Sequence, residues 1–210
     1  MSDATPVTVV VWGDSIAAAG WPQRAEAIHN LALNTGTPIR VFNEAVGGNP
    51  AAHARHEFAD RVLIHAPDIV VVHFGANDLR HDGARGALPI STPEEFAAHL
   101  TAMLLACRQD AKARALALGH HRVRQPMRLP TGQLYADSLR HYSEIARRAA
   151  ESAGADYLDM AAALAAVPDT PWTDFVCADG VHLSDLGLEC YASIIASALA
   201  PMVREVAVKG

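Results

Sequence analysis

The sequence predicts an α/β fold in which a mostly parallel five-stranded sheet is covered by helices on both faces. Three observations carry that expectation. Short apolar, β-branched runs alternate with Ala-rich segments of helical period. The runs lack the in/out alternation of a half-exposed strand, which indicates burial on both faces. Strand followed by helix followed by strand, with no internal repeat and no Gly/Ser-rich or Pro-rich linker, argues for a single domain over residues 1–210 built around one parallel sheet.

Taken in order, the strands are expected at Val7 to Trp12, Ile39 to Phe42, Ile69 to Phe74, Ala115 to Leu118 and Tyr157 to Met160. The helices between them are expected at Gln23 to Asn34, His53 to His65, Pro93 to Lys112, Leu134 to Ala153 and Leu186 to Met202. One helix start is well specified: Thr92 can cap, Pro93 suits the first helical position, and Glu95 completes a capping box. Gly154 is placed to stop the helix before the last strand. In such a sheet the ligand sits at loops that follow the carboxyl ends of the strands.

Composition narrows the partners. The 210 residues carry 17 Lys+Arg against 23 Asp+Glu, a formal net charge of −6, with no long run of one sign, so nucleic acid and anionic membrane surfaces are unexpected partners. The uninterrupted apolar runs, such as Val7 to Trp12 and Ile69 to Val72, fall far short of the roughly 18 residues of a spanning helix. Met1 to Pro6 shows neither the basic region nor the apolar stretch of a signal peptide, so the expected location is the cytoplasm. Cys107, Cys177 and Cys190 form no C-x-x-C pair, suit a reducing compartment and are expected to be small buried hydrophobes.

Three chemically interesting segments follow predicted strands. Gly13-Asp14-Ser15 leaves a serine at the sheet's carboxyl edge, where it is either a nucleophile or simply a helix cap. Asn43-Glu44-Ala45-Val46-Gly47-Gly48-Asn49-Pro50 has a glycine pair that can aim a backbone N–H at a ligand or merely turn the chain. Gly75-Ala76-Asn77-Asp78 offers a side-chain amide that can donate to an oxyanion or close an Asx turn. Near the C-terminus, Asp179 stands three residues before His182, the spacing at which an acid can accept from one ring nitrogen while the other faces a serine.

Together these segments resemble the SGNH hydrolases, also called the GDSL esterase/lipase family, whose four blocks carry a serine, a glycine, an asparagine and a histidine. The blocks here are Gly13-Asp14-Ser15-Ile16, Asn43-x-Ala45-x-x-Gly48, Gly75-Ala76-Asn77-Asp78 and Asp179-x-x-His182. Ile16 stands where the family name has Leu, a volume-conserving change, and the resemblance runs from about Val7 to about Leu199. The resemblance implies a flavodoxin-like three-layer α/β/α sandwich with Ser15 as nucleophile, His182 as base and then acid, and Asp179 as the residue that orients His182. It implies an oxyanion hole made of the Ser15 N–H, the Gly48 N–H and the Asn77 side chain, with Gly47 the alternative to Gly48. No cofactor and no metal is implied. Ala17 where a G-x-S-x-G elbow needs glycine makes the larger α/β-hydrolase fold a poor match.

His53 and His56 are spaced to share a helix face, but neither they nor His120, His121 and His141 sit in a recognised zinc pattern. His81 to Pro89 and Gly119 to Arg128 are polar, basic segments expected at the mouth of the site, with Arg80 and His81 nearby. That rim favours a small polar ester with a short acyl group, acetyl-like, on an alcohol or sugar. Two other readings stay open. An acyltransferase would pass the same acyl group to an alcohol or amine, with Trp12, Trp21 and Trp172 excluding water; a flavodoxin-like binding module would keep the fold without catalysis. No G-x-G-x-x-G or G-x-x-x-x-G-K-[ST] supports a nucleotide ligand.

Overall fold

The computed structural model of the chain describes residues 5–32, 36–124 and 126–209, so Met1 to Ala4, Leu33, Asn34 and Gln125 of the segments above lie outside the described residues. Five parallel strands form one sheet: β1 (Val7–Gly13), β2 (Ile39–Asn43), β3 (Ile69–His73), β4 (Arg114–Leu118) and β5 (Asp156–Leu158), in the order β2-β1-β3-β4-β5. This is the flavodoxin-like order, and the direction of strand succession reverses between β1 and β3. The register pairs Val9 with Ile69 and Gly13 with His73, so β1 and β3 end side by side.

The helices are α1 (Ser15–Ala18), α2 (Trp21–Ala32), α3 (Ala51–Arg61), α4 (Pro93–Gln109), α5 (Tyr135–Ala153), α6 (Met160–Ala165) and α7 (Asp185–Lys209). Successive strand residues point to opposite faces, and both faces are apolar, which is why the sequence shows no alternation. Val10, Trp12, Val70, Val72 and Ala117 meet α3, α4 and α5, while Val9, Val11, Ile69, Val71 and Leu118 meet α2, α6 and α7. Each fully buried Val or Leu contributes roughly 1.5–3 kcal/mol relative to exposure. The capping box forms as expected: Thr92 Oγ1 accepts from the Glu95 amide at 3.3 Å and Glu95 Oε2 accepts from the Thr92 amide at 2.8 Å.

Four expectations need correction. β5 ends at Leu158 rather than Met160, because the Asp159 carboxylate accepts from the Ala162 amide at 3.0 Å and starts α6 in the Ala-rich stretch that follows. The last helix runs to Lys209 rather than ending at Met202, with Pro201 inside it, since Met202 and Val203 are buried on its core side and that packing outweighs the backbone bond a proline removes. Only Cys107 is buried; Cys190 is half-buried and Cys177 is exposed, its thiol donating to the Leu183 carbonyl at 3.1 Å. Finally, Asp185–Val208 is long and apolar enough to cross a membrane by length and composition, with a mean hydropathy of 1.5, although half of that stretch is buried inside the protein, where α7 packs on α2 and β1.

Candidate active site

The nucleophile candidate is positioned by a tight junction between β1 and α1. A Cβ built on Gly13 would lie 2.6 Å from the Ala17 Cβ and 2.7 Å from the His73 carbonyl oxygen, so only glycine lets α1 fold back against the end of β3. The Asp14 amide donates to the His73 carbonyl at 3.2 Å, and an Asp14 carboxylate oxygen accepts from the Ile16 amide at 3.0 Å, capping α1. Ser15 is then the first residue of α1, at the switch between β1 and β3, and its hydroxyl is free of the capping role, which Asp14 fills.

His182 arrives from the loop before α7. Its Nδ1 lies 2.6 Å from Asp179 Oδ2, and its Nε2 lies 3.0 Å from Ser15 Oγ. An ionised carboxylate only accepts, so the ring proton belongs on Nδ1, and the bare Nε2 accepts from the Ser15 hydroxyl. The second Asp179 oxygen accepts from the Val181 and His182 amides at 2.9 and 3.0 Å. Partial burial opposes ionisation of Asp179, but these amides and the His182 ring outweigh it and hold the carboxylate at about 2. The pair is open to solvent: both side chains are 48% exposed.

The other two blocks face the same crevice. Val46 to Asn49 form a turn in which the Asn49 amide donates to the Val46 carbonyl at 3.2 Å, with Gly48 at φ 81° in the third position, as a type II turn requires. The Val46 amide ties this turn to the Gly13 carbonyl at 2.9 Å, and a Cβ on Gly47 would lie 3.9 Å from that of Ser15. The Gly47 and Gly48 amides have no protein acceptor among the described residues. Asn77, almost fully buried, donates from Nδ2 to Asp14 Oδ2 at 3.3 Å, while its Oδ1 accepts from the Arg80 guanidinium at 3.1 Å. A carboxylate on one side and a cation on the other leave a single orientation for that amide.

Ser15, Asp179, His182, Gly48 and Asn77 therefore come from four distant stretches of chain to one place. Sequence reasoning missed several residues that hold them. Asp14 is fully buried, and burial pushes its carboxyl up to about 7, against the hydrogen bond from Ile16. Asp78, by contrast, was readable from its place beside Asn77 as a residue to hold the third block's turn; it is buried and pushed up to about 6, and accepts from the Ala51 amide at 3.0 Å and from the Ser91 hydroxyl at 2.7 Å, joining that block to the starts of α3 and α4. Arg80 had no sequence signal for this contact beyond its place three residues after Asn77.

The two basic segments do not form one rim. Arg85 turns away to pair with Glu95 at 2.7 and 2.9 Å, its guanidinium holding that carboxylate down at about 2. His120 and His121 are buried rather than at the mouth, with His120 Nε2 3.1 Å from the Phe74 carbonyl. Trp12 and Trp21 are likewise buried in the two cores, Trp12 edge-on to Phe74 and Trp21 donating to the Ile16 carbonyl at 2.9 Å, so neither shields the serine. A cavity of about 710 Å³ is walled by His121, Arg122, Tyr157, Asp159 and Trp172, and Ser15, His182 and Asn77 do not line it. Among the described residues no group of three or more His, Cys, Asp or Glu is arranged to hold a metal ion.

Comparison with solved structures finds the same fold at low identity. A lipase/acylhydrolase from Enterococcus faecalis is 21% identical, with 93% of this chain and 96% of that chain covered and a TM-score of 0.74. An acetylxylan esterase from Geobacillus stearothermophilus is 19% identical, covering 97% and 96%, with a TM-score of 0.75. The acetyl xylan esterase AlAXEase is 24% identical, covering 92% and 100%, with a TM-score of 0.71. No curated protein matches by sequence. The profile of the GDSL-like Lipase/Acylhydrolase family, by contrast, matches residues 11–189. That span takes in all four blocks, and the chain belongs to the GDSL-like lipase/acylhydrolase family, which makes it a carboxylic ester hydrolase.

Proposed function

We propose that the protein is a serine esterase that hydrolyses small, short-acyl esters through an acyl-enzyme on Ser15. The observation that carries the reading is the unbroken chain of contacts from Asp179 through His182 to Ser15, at 2.6 and 3.0 Å. His182 Nε2 takes the hydroxyl proton as Ser15 Oγ attacks the ester carbonyl, and Asp179 stabilises the imidazolium that results. The Ser15 and Gly48 amides and Asn77 Nδ2 receive the carbonyl oxygen as it becomes an oxyanion. His182 then protonates the leaving alcohol. Water, deprotonated by the same nitrogen, attacks the acyl carbonyl and releases the carboxylic acid and Ser15.

The openness of the site supports a short acyl group and hydrolysis rather than transfer. The His182 and Asp179 side chains are 48% exposed, and Ser15 does not line the neighbouring cavity, so the pair is reached directly from solvent. Of the three tryptophans that could have kept water from an acyl-enzyme bound for another acceptor, Trp12 and Trp21 are buried in the cores, and Trp172 is half-buried in the wall of the neighbouring cavity, which Ser15 does not line. Structural neighbours named as acetyl xylan esterases point the same way, toward acetyl-like groups on an alcohol or sugar. The test is a panel of 4-nitrophenyl esters from acetate to decanoate, run with Ser15→Ala. The expected result is turnover that is highest on the shortest esters and absent in the variant. Turnover that survives Ser15→Ala, or rises with chain length, would overturn the reading.

A further inference from the structure

Beneath the loop that carries His182, a buried histidine and a buried tyrosine hold one peptide group. His121, 4% exposed, follows β4, and Tyr191, fully buried, comes from α7. His121 Nε2 lies 2.8 Å from the Val181 carbonyl oxygen, and His121 Nδ1 lies 2.6 Å from the Tyr191 hydroxyl. A carbonyl only accepts, so Nε2 carries the proton, and Nδ1 is left to accept from the tyrosine O–H. Burial also depresses His121 to about 4, which keeps the ring neutral and both bonds in place near neutral pH.

The peptide group so held joins Val181 to His182. Its oxygen accepts from His121, and its N–H, that of His182, donates to Asp179 Oδ1 at 3.0 Å. Because the peptide is planar, fixing its oxygen fixes the direction of the N–H that orients Asp179. Backbone ties to either side include those from the Arg124 amide to the Gly180 carbonyl and from the Cys177 amide to the His182 carbonyl, both at 2.7 Å, and from the Gly180 amide to the Cys177 carbonyl at 2.9 Å. An acid–base pair that is half open to solvent thus rests on a wholly buried support.

We propose that His121 and Tyr191 are positioning residues for catalysis: the relay from the Tyr191 hydroxyl through His121 to the Val181 carbonyl sets the geometry of Asp179 and His182. This rests on the esterase reading above. The test compares His121→Phe, His121→Gln and Tyr191→Phe on 4-nitrophenyl acetate, and records the downfield proton NMR signal of the His182 Nδ1–H bonded to Asp179. His121→Phe is expected to lower kcat about tenfold and Tyr191→Phe about threefold, with KM within about twofold of wild type, since small displacements of catalytic groups are costly. Both variants should weaken the His182 signal. His121→Gln, whose amide can donate to Val181 and accept from Tyr191, should restore most of kcat and of the signal.

Wild-type kcat and an intact signal in His121→Phe would overturn the proposal, as would a His121→Gln that falls as far as His121→Phe. If His121→Phe does not fold, Tyr191→Phe decides by the same two readouts, with an unchanged kcat and signal counting against the relay. The NMR arm needs no turnover. A wild-type protein that hydrolyses no ester would sink the esterase reading, while the His182 signal in the variants would still judge the relay.

Discussion

Asp14 lies wholly inside the protein beside Ser15, whereas the side chain of Asp179, the partner of His182, is 48% exposed. Desolvation dominates at Asp14, pushing it up to about 7, with only the Ile16 amide, the Asn77 amide and the nearby His182 to favour its charge. Asp179 accepts two backbone N–H bonds and one from the imidazole, and is held at about 2. One carboxylate is a reliable anion that can stabilise a developing imidazolium. The other sits 3.3 Å from the amide proposed to receive the oxyanion, where a full negative charge would oppose that oxygen. The difference assigns separate work to the two halves of the crevice: the half on β1 and β3 keeps Asp14 and Asn77 in the interior, and the half on the α7 loop is solvated, with its peptide bonded from below by His121.

Asn77→Ala tests this division most severely. Loss of one oxyanion donor in a preorganised site typically costs on the order of 3 kcal/mol, about a hundredfold in kcat. That loss is expected here with the fold retained by circular dichroism, and near-wild-type turnover in a folded variant would remove Asn77 from the oxyanion hole. Asp179→Asn should act more weakly, by about tenfold to a hundredfold in kcat, against the roughly 10⁴-fold seen where such a triad is buried. Solvent already screens an exposed pair, so less is lost when the charge goes. An unchanged kcat would mean that Ser15 and His182 suffice as a dyad, and that the relay beneath them holds the histidine rather than the acid.

Much of this was legible in the residues, for reasons that differ along the chain. The strands were readable because burial on both faces writes a continuous apolar run such as Ile69, Val70, Val71 and Val72, and the four blocks were readable because each falls just past a strand or before the last helix. What was hidden depends on long-range contacts. A run of Gly119, His120, His121 and Arg122 has the composition of a surface loop, yet both histidines are buried because Phe74, Val181 and Tyr191, all distant in sequence, supply their partners. Trp12 ends a core strand, so its proximity to Ser15 in sequence says nothing of the site. The last helix was expected to end at Met202, and only the burial of Met202 and Val203 on its core side shows why α7 runs on to Lys209.

The smallest expected effect isolates Asp14 itself. A carboxyl raised to about 7 in the folded protein, against about 3.9 when unfolded, leaves the native state holding the extra proton between those values, so this group's contribution to stability is present at low pH and is lost as pH rises toward and through 7. Asp78, raised to about 6, acts in the same direction. The buried histidines act in the opposite one: His120 and His121, depressed to about 3 and 4, bind protons more readily when unfolded, so their contribution grows as pH rises toward 6.5. Asp179, held at about 2, contributes fully above about 4 and loses that contribution as pH falls from about 4 through 2. The wild-type melting curve therefore mixes opposing slopes, and the informative quantity is the difference between Asp14→Asn and wild type. The variant loses an acceptor for Asn77 at every pH, a constant offset, but it never has to bury a charge. Its Tm relative to wild type should rise by about a few degrees between pH 5 and pH 8. A difference that stays flat over that range would show that Asp14 ionises as readily inside the protein as out, and the contrast with Asp179 would no longer stand.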